Sequence, residues 1–153
     1  MLFSIGALAS GVSAVGVPEC RLLAFRTSDP AFGGQLDEPG FSRFQVVVRD
    51  TVTGDFSIVS ASSAGALSDR GCETPVISAD GSTVVFASSA RNLLDGVDLP
   101  YTGRQVYAKN LATGEVVLVS SDASGAPARA DSFGAAVSAD GRRVAFASTH
   151  ADL

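Results

Sequence analysis

The chain has no tryptophan, one methionine, one histidine, two cysteines and few lysines, and nowhere does it carry a block of like charge. Each shortage excludes something. A Ser-His-Asp site needs a histidine, and the only one, His150, stands near the end, aligned with Ala90 of the internal repeat described below and with no repeated neighbours; it reads as a loop residue. The nucleophile elbow G-x-S-x-G is absent, because its nearest look-alike, GALSD from Gly65, lacks the second glycine. Cys20 and Cys72 are too few for a disulfide framework and wrongly spaced for zinc, which leaves one disulfide in an exported protein or, preferred, two unpaired core cysteines. The net charge of −5 comes from scattered acids, and Arg104 with the pair Arg142-Arg143 is too little for a nucleic-acid face.

Other carboxylates and glycines read as turn chemistry. Asp95 and Asp98 in NLLDGVDLP offer oxygens to calcium, but the spacing lacks the D-x-[DN]-x-[DN]-G order and the partner positions are apolar or proline, so an exposed turn is the better reading. Asp37 and Glu38 in GGQLDEPG resemble a solvated turn more than a catalytic pair, and Gly33-Gly34 is followed by no G-K-[ST]. No catalytic, cofactor or metal residue is assigned, and the expectation is a protein that is not an enzyme. The apolar start, MLFSIGALASGVSAVGV, supports two readings: an export signal without its usual basic beginning, or a degenerate strand pair in which GVPECRLLAF matches VSADGRRVAF. It is short of the roughly 20 apolar residues of a membrane span.

What the chain does have is 46% hydrophobic residues, enough for a packed core in 153 residues, and sixteen glycines, which suit short strands joined by tight turns. It also repeats itself. Residues 41–93 align with 101–153 without a gap at a constant offset of 60, and seventeen of the 53 positions are identical. Gln45-Val46 meets Gln105-Val106, Thr53-Gly54 meets Thr113-Gly114, and Ser78 to Gly81 meets Ser138 to Gly141. An earlier copy, LLAFRTSDP from Leu22, precedes VVFASSARN from Val84 by 61 residues if the loop between has changed by one.

Each copy reads as strands and turns. STVVFASS and RRVAFAST, rich in β-branched and aromatic residues, follow Asp80-Gly81 and Asp140-Gly141, so PVISA and AAVSA are expected to pair antiparallel with them across tight type I′ turns. FQVVVRD should pair with DFSIVSA through TVTG, and RQVYAKN with EVVLVSS through LATG, with Gly54 and Gly114 left-handed. The result is four short antiparallel strands per sixty residues, repeated.

The pattern S-A-D-G-x-x-V-x-F-A-S, a further strand and then a T-G turn resembles the TolB-type, WD40-like β-propeller repeat family over residues 16–153. The resemblance implies an all-β fold of four-stranded antiparallel blades, here an incomplete propeller: 1–20 a signal-like or degenerate half-blade segment, 21–81 and 82–141 two blade units, and 142–153 the start of a truncated third. Ala79 and Ala139 replace the family's proline, Gln45 and Gln105 stand where longer repeats carry aspartate, and LLDGVDLPYTG is a degenerate form of the family's Asp/Asn-rich loop. Val84, Phe86, Val144 and Phe146 recur because they fill equivalent seats in a stack of blades. The resemblance further implies export to a bacterial periplasm or beyond and a protein or peptide partner, held by the variable loops 27–42 and 88–103. Two rival readings are the gating part of a larger serine-peptidase-type hydrolase and an open structural array. Because the last unit stops after one strand pair, a fragment of a longer protein is expected in preference to a ring assembled from several chains or a short open array, with exposed blade faces that self-associate.

Overall fold

The computed structural model describes residues 21–37, 41–97, 99, 103–150 and 153. The signal-like segment, Cys20, Glu38 and Asp98 lie outside them. Among the described residues, eleven strands and one 3-10 turn, Pro30–Phe32, make up the regular structure. Strands β1 (Leu22–Thr27), β4 (Gln45–Asp50) and β5 (Phe56–Ile58) form a first antiparallel sheet, and β2 (Gln35–Asp37) with β3 (Phe41–Arg43) forms a small ribbon inserted into it. Strands β6 (Cys72–Ile77), β7 (Thr83–Ser88), β8 (Gln105–Asn110) and β9 (Val116–Leu118) form a second sheet, in that order. Strands β10 (Ser132–Val137) and β11 (Val144–Ser148) form the third.

The repeat is visible in the registers. Thr27 faces Gln45 and Leu22 faces Asp50, as Ser88 faces Gln105 and Thr83 faces Asn110. This confirms the one-residue change in the first loop. The hairpins joined by TVTG and LATG form as expected, with Gly54 at φ 83° and Gly114 at φ 76°. Strand pairing groups the strands in a different phase from the sequence units. Breaks at 81/82 and 141/142 fall inside the turns that join β6 to β7 and β10 to β11, because hydrogen bonding keeps each pair in one sheet. The full second sheet runs from Cys72 to Leu118, and the stretches 59–71 and 119–131 connect the sheets.

The Asp-Gly turns are also not two-residue type I′ turns. Gly81 (φ 72°) and Gly141 (φ 68°) are left-handed, but Asp80 and Asp140 are not. Gly81 N–H donates to Ser78 O at 2.9 Å and Ser78 N–H to Thr83 O at 2.9 Å, a wider loop with the glycine at its left-handed position. Side chains select it. The Ser78 hydroxyl accepts from Thr83 N–H (3.0 Å) and donates to Asp80 Oδ1 (2.6 Å), which also accepts from Ser82 N–H (2.9 Å). Ser138 and Asp140 repeat the scheme, with Arg143 N–H and Arg142 N–H as donors. The Ser78 hydroxyl bond, followed by those of Ser82, lowers the Asp80 pKa; that of Ser138, followed by Arg142 N–H, lowers the Asp140 pKa.

Successive turns also touch. Asp80 N–H donates to Ala139 O at 2.9 Å, and a Cβ on Gly141 would lie 2.6 Å from Thr83 Oγ1 and 2.7 Å from Ser82 Oγ. Gly141→Ala should therefore lose about 2–3 kcal/mol in urea unfolding, from left-handed strain plus overpacking. Gly125→Ala, at φ 84° with nothing within 4 Å of its Cβ, should lose only the strain, about 1 kcal/mol. Equal losses would refute the close-approach argument.

One core runs between the first two sheets. Ala24, Val46 and Val48 of the first meet Val84, Phe86, Tyr107, Val116 and Leu118 of the second, together with Ile77 and Cys72. Phe86 stacks on Tyr107 at 5.8 Å, and the Tyr107 hydroxyl donates to Ala90 O at 2.9 Å. The chain's one lysine belongs here. Lys109 Nζ is buried and donates to Ala61 O at 2.7 Å, crossing from the second sheet to the connector of the first, and burial lowers its pKa.

Candidate functional site

The strands that begin successive sheets, β6 and β10, lie side by side, and β6 also lies against β1 and β4. The sheets therefore converge on this edge. Both strands are irregular at the same place. The register shifts between Glu73 and Val76 in β6 and between Phe133 and Ala136 in β10. The bulge needs a left-handed residue, supplied by Gly134 at φ 63° in β10 and by Thr74 at φ 46° in β6. Thr74 is exposed and β-branched, so it holds backbone strain that its counterpart avoids. Thr74→Gly should raise the unfolding free energy by about 0.5–1 kcal/mol, strain relief exceeding the entropy cost of glycine. A loss of stability on urea titration would contradict it.

Around this bulge four side chains from two sheets meet. Arg104, just before β8, reaches Glu73 Oε2 and Asp131 Oδ2, each at 3.5 Å, and its guanidinium lies 5.5 Å from the Phe133 ring centroid. Asp131 is fixed by Arg104 N–H, which donates to its Oδ1 at 2.8 Å, while Ser132 N–H donates to Arg104 O at 2.9 Å. The ion pairs are half in solvent and add little stability. What they do is order one guanidinium between two carboxylates beside a ring that is 38% exposed. Arg104 stood out in the sequence only as an isolated base. Glu73, Thr74, Asp131 and Phe133 gave no signal, although setting Thr74 against Gly134 in the repeat marks a place where the two copies solve one backbone problem differently.

A cleft of about 360 Å³ opens beside the first sheet and is lined by Arg21, Leu22, Val48, Asp50, Thr53, Asp55, Ser57 and Leu111. The Val52 amide, then Thr53 N–H and the Arg21 guanidinium at 3.0 Å, hold the Asp50 carboxyl below its usual range.

The residues weighed in the sequence fall elsewhere. His150 is half-buried after β11, and its N–H donates to Ser148 Oγ. Asp95 accepts from Ala64 N–H at 3.1 Å, tying loop 88–97 to the preceding connector. Asn92 strengthens that tie through Asp69 N–H and Leu67 O, while Leu93 and Leu99 are buried in the core. Much of this variable loop thus serves as a clasp between sheets. Gly33 ends the Pro30–Phe32 turn that Asp29 caps. Cys72 is a buried free thiol beside Ser68 and Ser88, its pKa pushed up by burial. Among the described residues no three His, Cys, Asp or Glu side chains group to hold a metal, and no helix is long and apolar enough to cross a membrane.

No protein-family model matches the chain, and no curated protein sequence does. Its fold is similar to part of the crystal structure of the tricorn protease, which has a β-propeller: TM-score 0.55, 12% identity, 87% of this chain and 10% of that one. The chain spans about a tenth of the length of that protein, and at this identity the likeness concerns the fold. With its sixty-residue repeat, a four-stranded antiparallel sheet and parts of the sheets on either side, the chain is all-β and forms the blades of an incomplete β-propeller.

Proposed function

We propose that the chain is a non-catalytic module that binds a protein or peptide, built of TolB-type blades and belonging to a longer exported protein of a periplasm or cell exterior. The observation that carries this reading is the cluster of Arg104, Glu73, Asp131 and Phe133 on the edge where the blades converge, the side that faces a propeller's channel. Function in such folds resides where side chains from several blades meet. Two carboxylates around one guanidinium leave a net negative site beside an exposed ring, which suits a peptide with a basic residue next to an apolar one. The binding reading requires no cofactor and no nucleic acid.

A displayed peptide library tests it. Selection on the chain should enrich such peptides, and affinity should fall about tenfold or more in Glu73→Gln with Phe133→Ala. No enrichment, or binding that ignores both substitutions, would sink the proposal. The likeness to a protease favours a second reading, in which these blades gate a larger serine-peptidase-type hydrolase. It predicts that peptides selected here are cleaved by the longer protein, and that a serine-hydrolase probe labels that protein outside residues 1–153.

A further inference from the structure

The blade frame does not demand the charges around Arg104, and the internal repeat shows this. One unit earlier Phe44 holds the place of Arg104, and Gly71 that of Asp131. The backbone is the same at both junctions: Cys72 N–H donates to Phe44 O at 2.9 Å, as Ser132 N–H donates to Arg104 O at 2.9 Å. The sheets therefore join as well over an uncharged ring and a glycine. The guanidinium and carboxylate at the second junction serve something other than joining them.

Their geometry is specific, but their hold is loose. Nη1 of Arg104 faces Glu73 Oε2 and Nη2 faces Asp131 Oδ2, so two carboxylates bracket the two ends of one planar fork, and the guanidinium carbon lies over the Phe133 ring. Such a bracket fits a guanidinium better than an ammonium, a single point of charge that does not span both acceptors. Both contacts are nevertheless 3.5 Å, longer than the about 2.7–2.9 Å of a charge-assisted hydrogen bond, and the three charged side chains are 41–43% exposed. Pairs of this kind are weak and open easily. The bracket outlasts the departure of its occupant, because Asp131 Oδ1 is held at 2.8 Å by the backbone N–H of Arg104 and not by its side chain.

We propose that the Arg104 guanidinium is a stand-in: an arginine side chain of the bound peptide takes its place between Glu73 and Asp131, over Phe133, while Arg104 swings out into water. This rests on the peptide-binding reading above and narrows it twice, from a basic residue to arginine and from an open site to one that its own side chain keeps occupied. A site free for only a fraction of the time binds with its intrinsic affinity reduced by that fraction. Occupied about nine-tenths of the time by Arg104, it binds about tenfold more weakly than the same site left empty. Arg104 thus sets a threshold that only a ligand with a matching fork passes.

Isothermal titration of the purified chain with acetyl-Arg-Leu-amide and acetyl-Lys-Leu-amide tests this. Wild type should prefer the arginine peptide by about fivefold or more. Arg104→Ala should bind it about five- to tenfold more tightly than wild type, and Glu73→Gln about tenfold more weakly. The urea midpoint of Arg104→Ala should stay near that of wild type, since the first junction does without the arginine; Arg104→Gln, which keeps the length and removes the charge, should gain affinity in the same way. Arg104 variants that bind the arginine peptide no more tightly than wild type, or a lysine peptide bound as well as its arginine twin, would overturn the stand-in and leave the peptide-binding reading standing. No binding of either peptide by wild type or by the Arg104 variants, or binding that Glu73→Gln does not weaken, would overturn both.

Discussion

In Phe86→Ala the unfolding free energy should fall by about 3–5 kcal/mol, whereas in Phe146→Ala, its twin sixty residues later, it should fall by only about 1 kcal/mol. Phe86 is fully buried between two sheets, against Tyr107 and within the cluster that includes Val46 and Val48. Truncation there opens a cavity that both sheets border, and the stacked pair is lost as well. Phe146 holds the same place in the motif but is only half-buried, so its removal leaves water rather than a void. Natural domains have about 5–15 kcal/mol in all, so the first substitution should leave much of the chain unfolded at modest urea. Comparable losses at the two sites would mean that the third sheet is packed as fully as the second.

That contrast marks what the sequence made legible. V-x-F after Asp-Gly predicts a strand, its turn and its partner, because alternation and turn residues act over a few positions. The pairing of β6 with β7 and of β4 with β5 follows from such local signals. The phase of the blade is not local: a sixty-residue period reads the same wherever it is cut, and only hydrogen bonding places the divisions at 59–71 and 119–131. The turn type was missed for a related reason. Asp-Gly alone suggests a two-residue turn, but Ser78 and Asp80 bond back onto Ser82 and Thr83 and stabilise a wider one. Nor does the sequence reveal that Lys109 is buried between blades or that Arg104 gathers residues from two of them, since both depend on how sheets stack.

Gln105→Leu should cost about 2–4 kcal/mol although leucine keeps the volume and adds hydrophobicity. The Gln105 side chain is buried, its Oε1 accepting from Ser120 Oγ at 2.7 Å and its Nε2 donating to Ala128 O at 2.9 Å. The Ser120 hydroxyl in turn accepts from Val106 N–H at 2.9 Å. The amide therefore fastens β8 to the connector that leads into the next blade. Leucine would strand the Ser120 hydroxyl proton and the Ala128 carbonyl without water. Gln45 does the same work one unit earlier, with Ser60 and Ser68; a carboxylate at either position would have no N–H for the carbonyl. Gln105→Glu separates this account from one of shape alone. A buried glutamate has its folded pKa raised above the unfolded value of about 4.3, so the variant should be most handicapped, relative to wild type at the same pH, above the folded pKa, where the carboxylate is charged. As pH falls toward about 4–5 the carboxyl gains a proton in the folded state first, it can donate again, and the deficit against wild type should shrink. A deficit independent of pH, measured by urea unfolding from pH 4.5 to 8, would show that packing rather than hydrogen bonding holds this position.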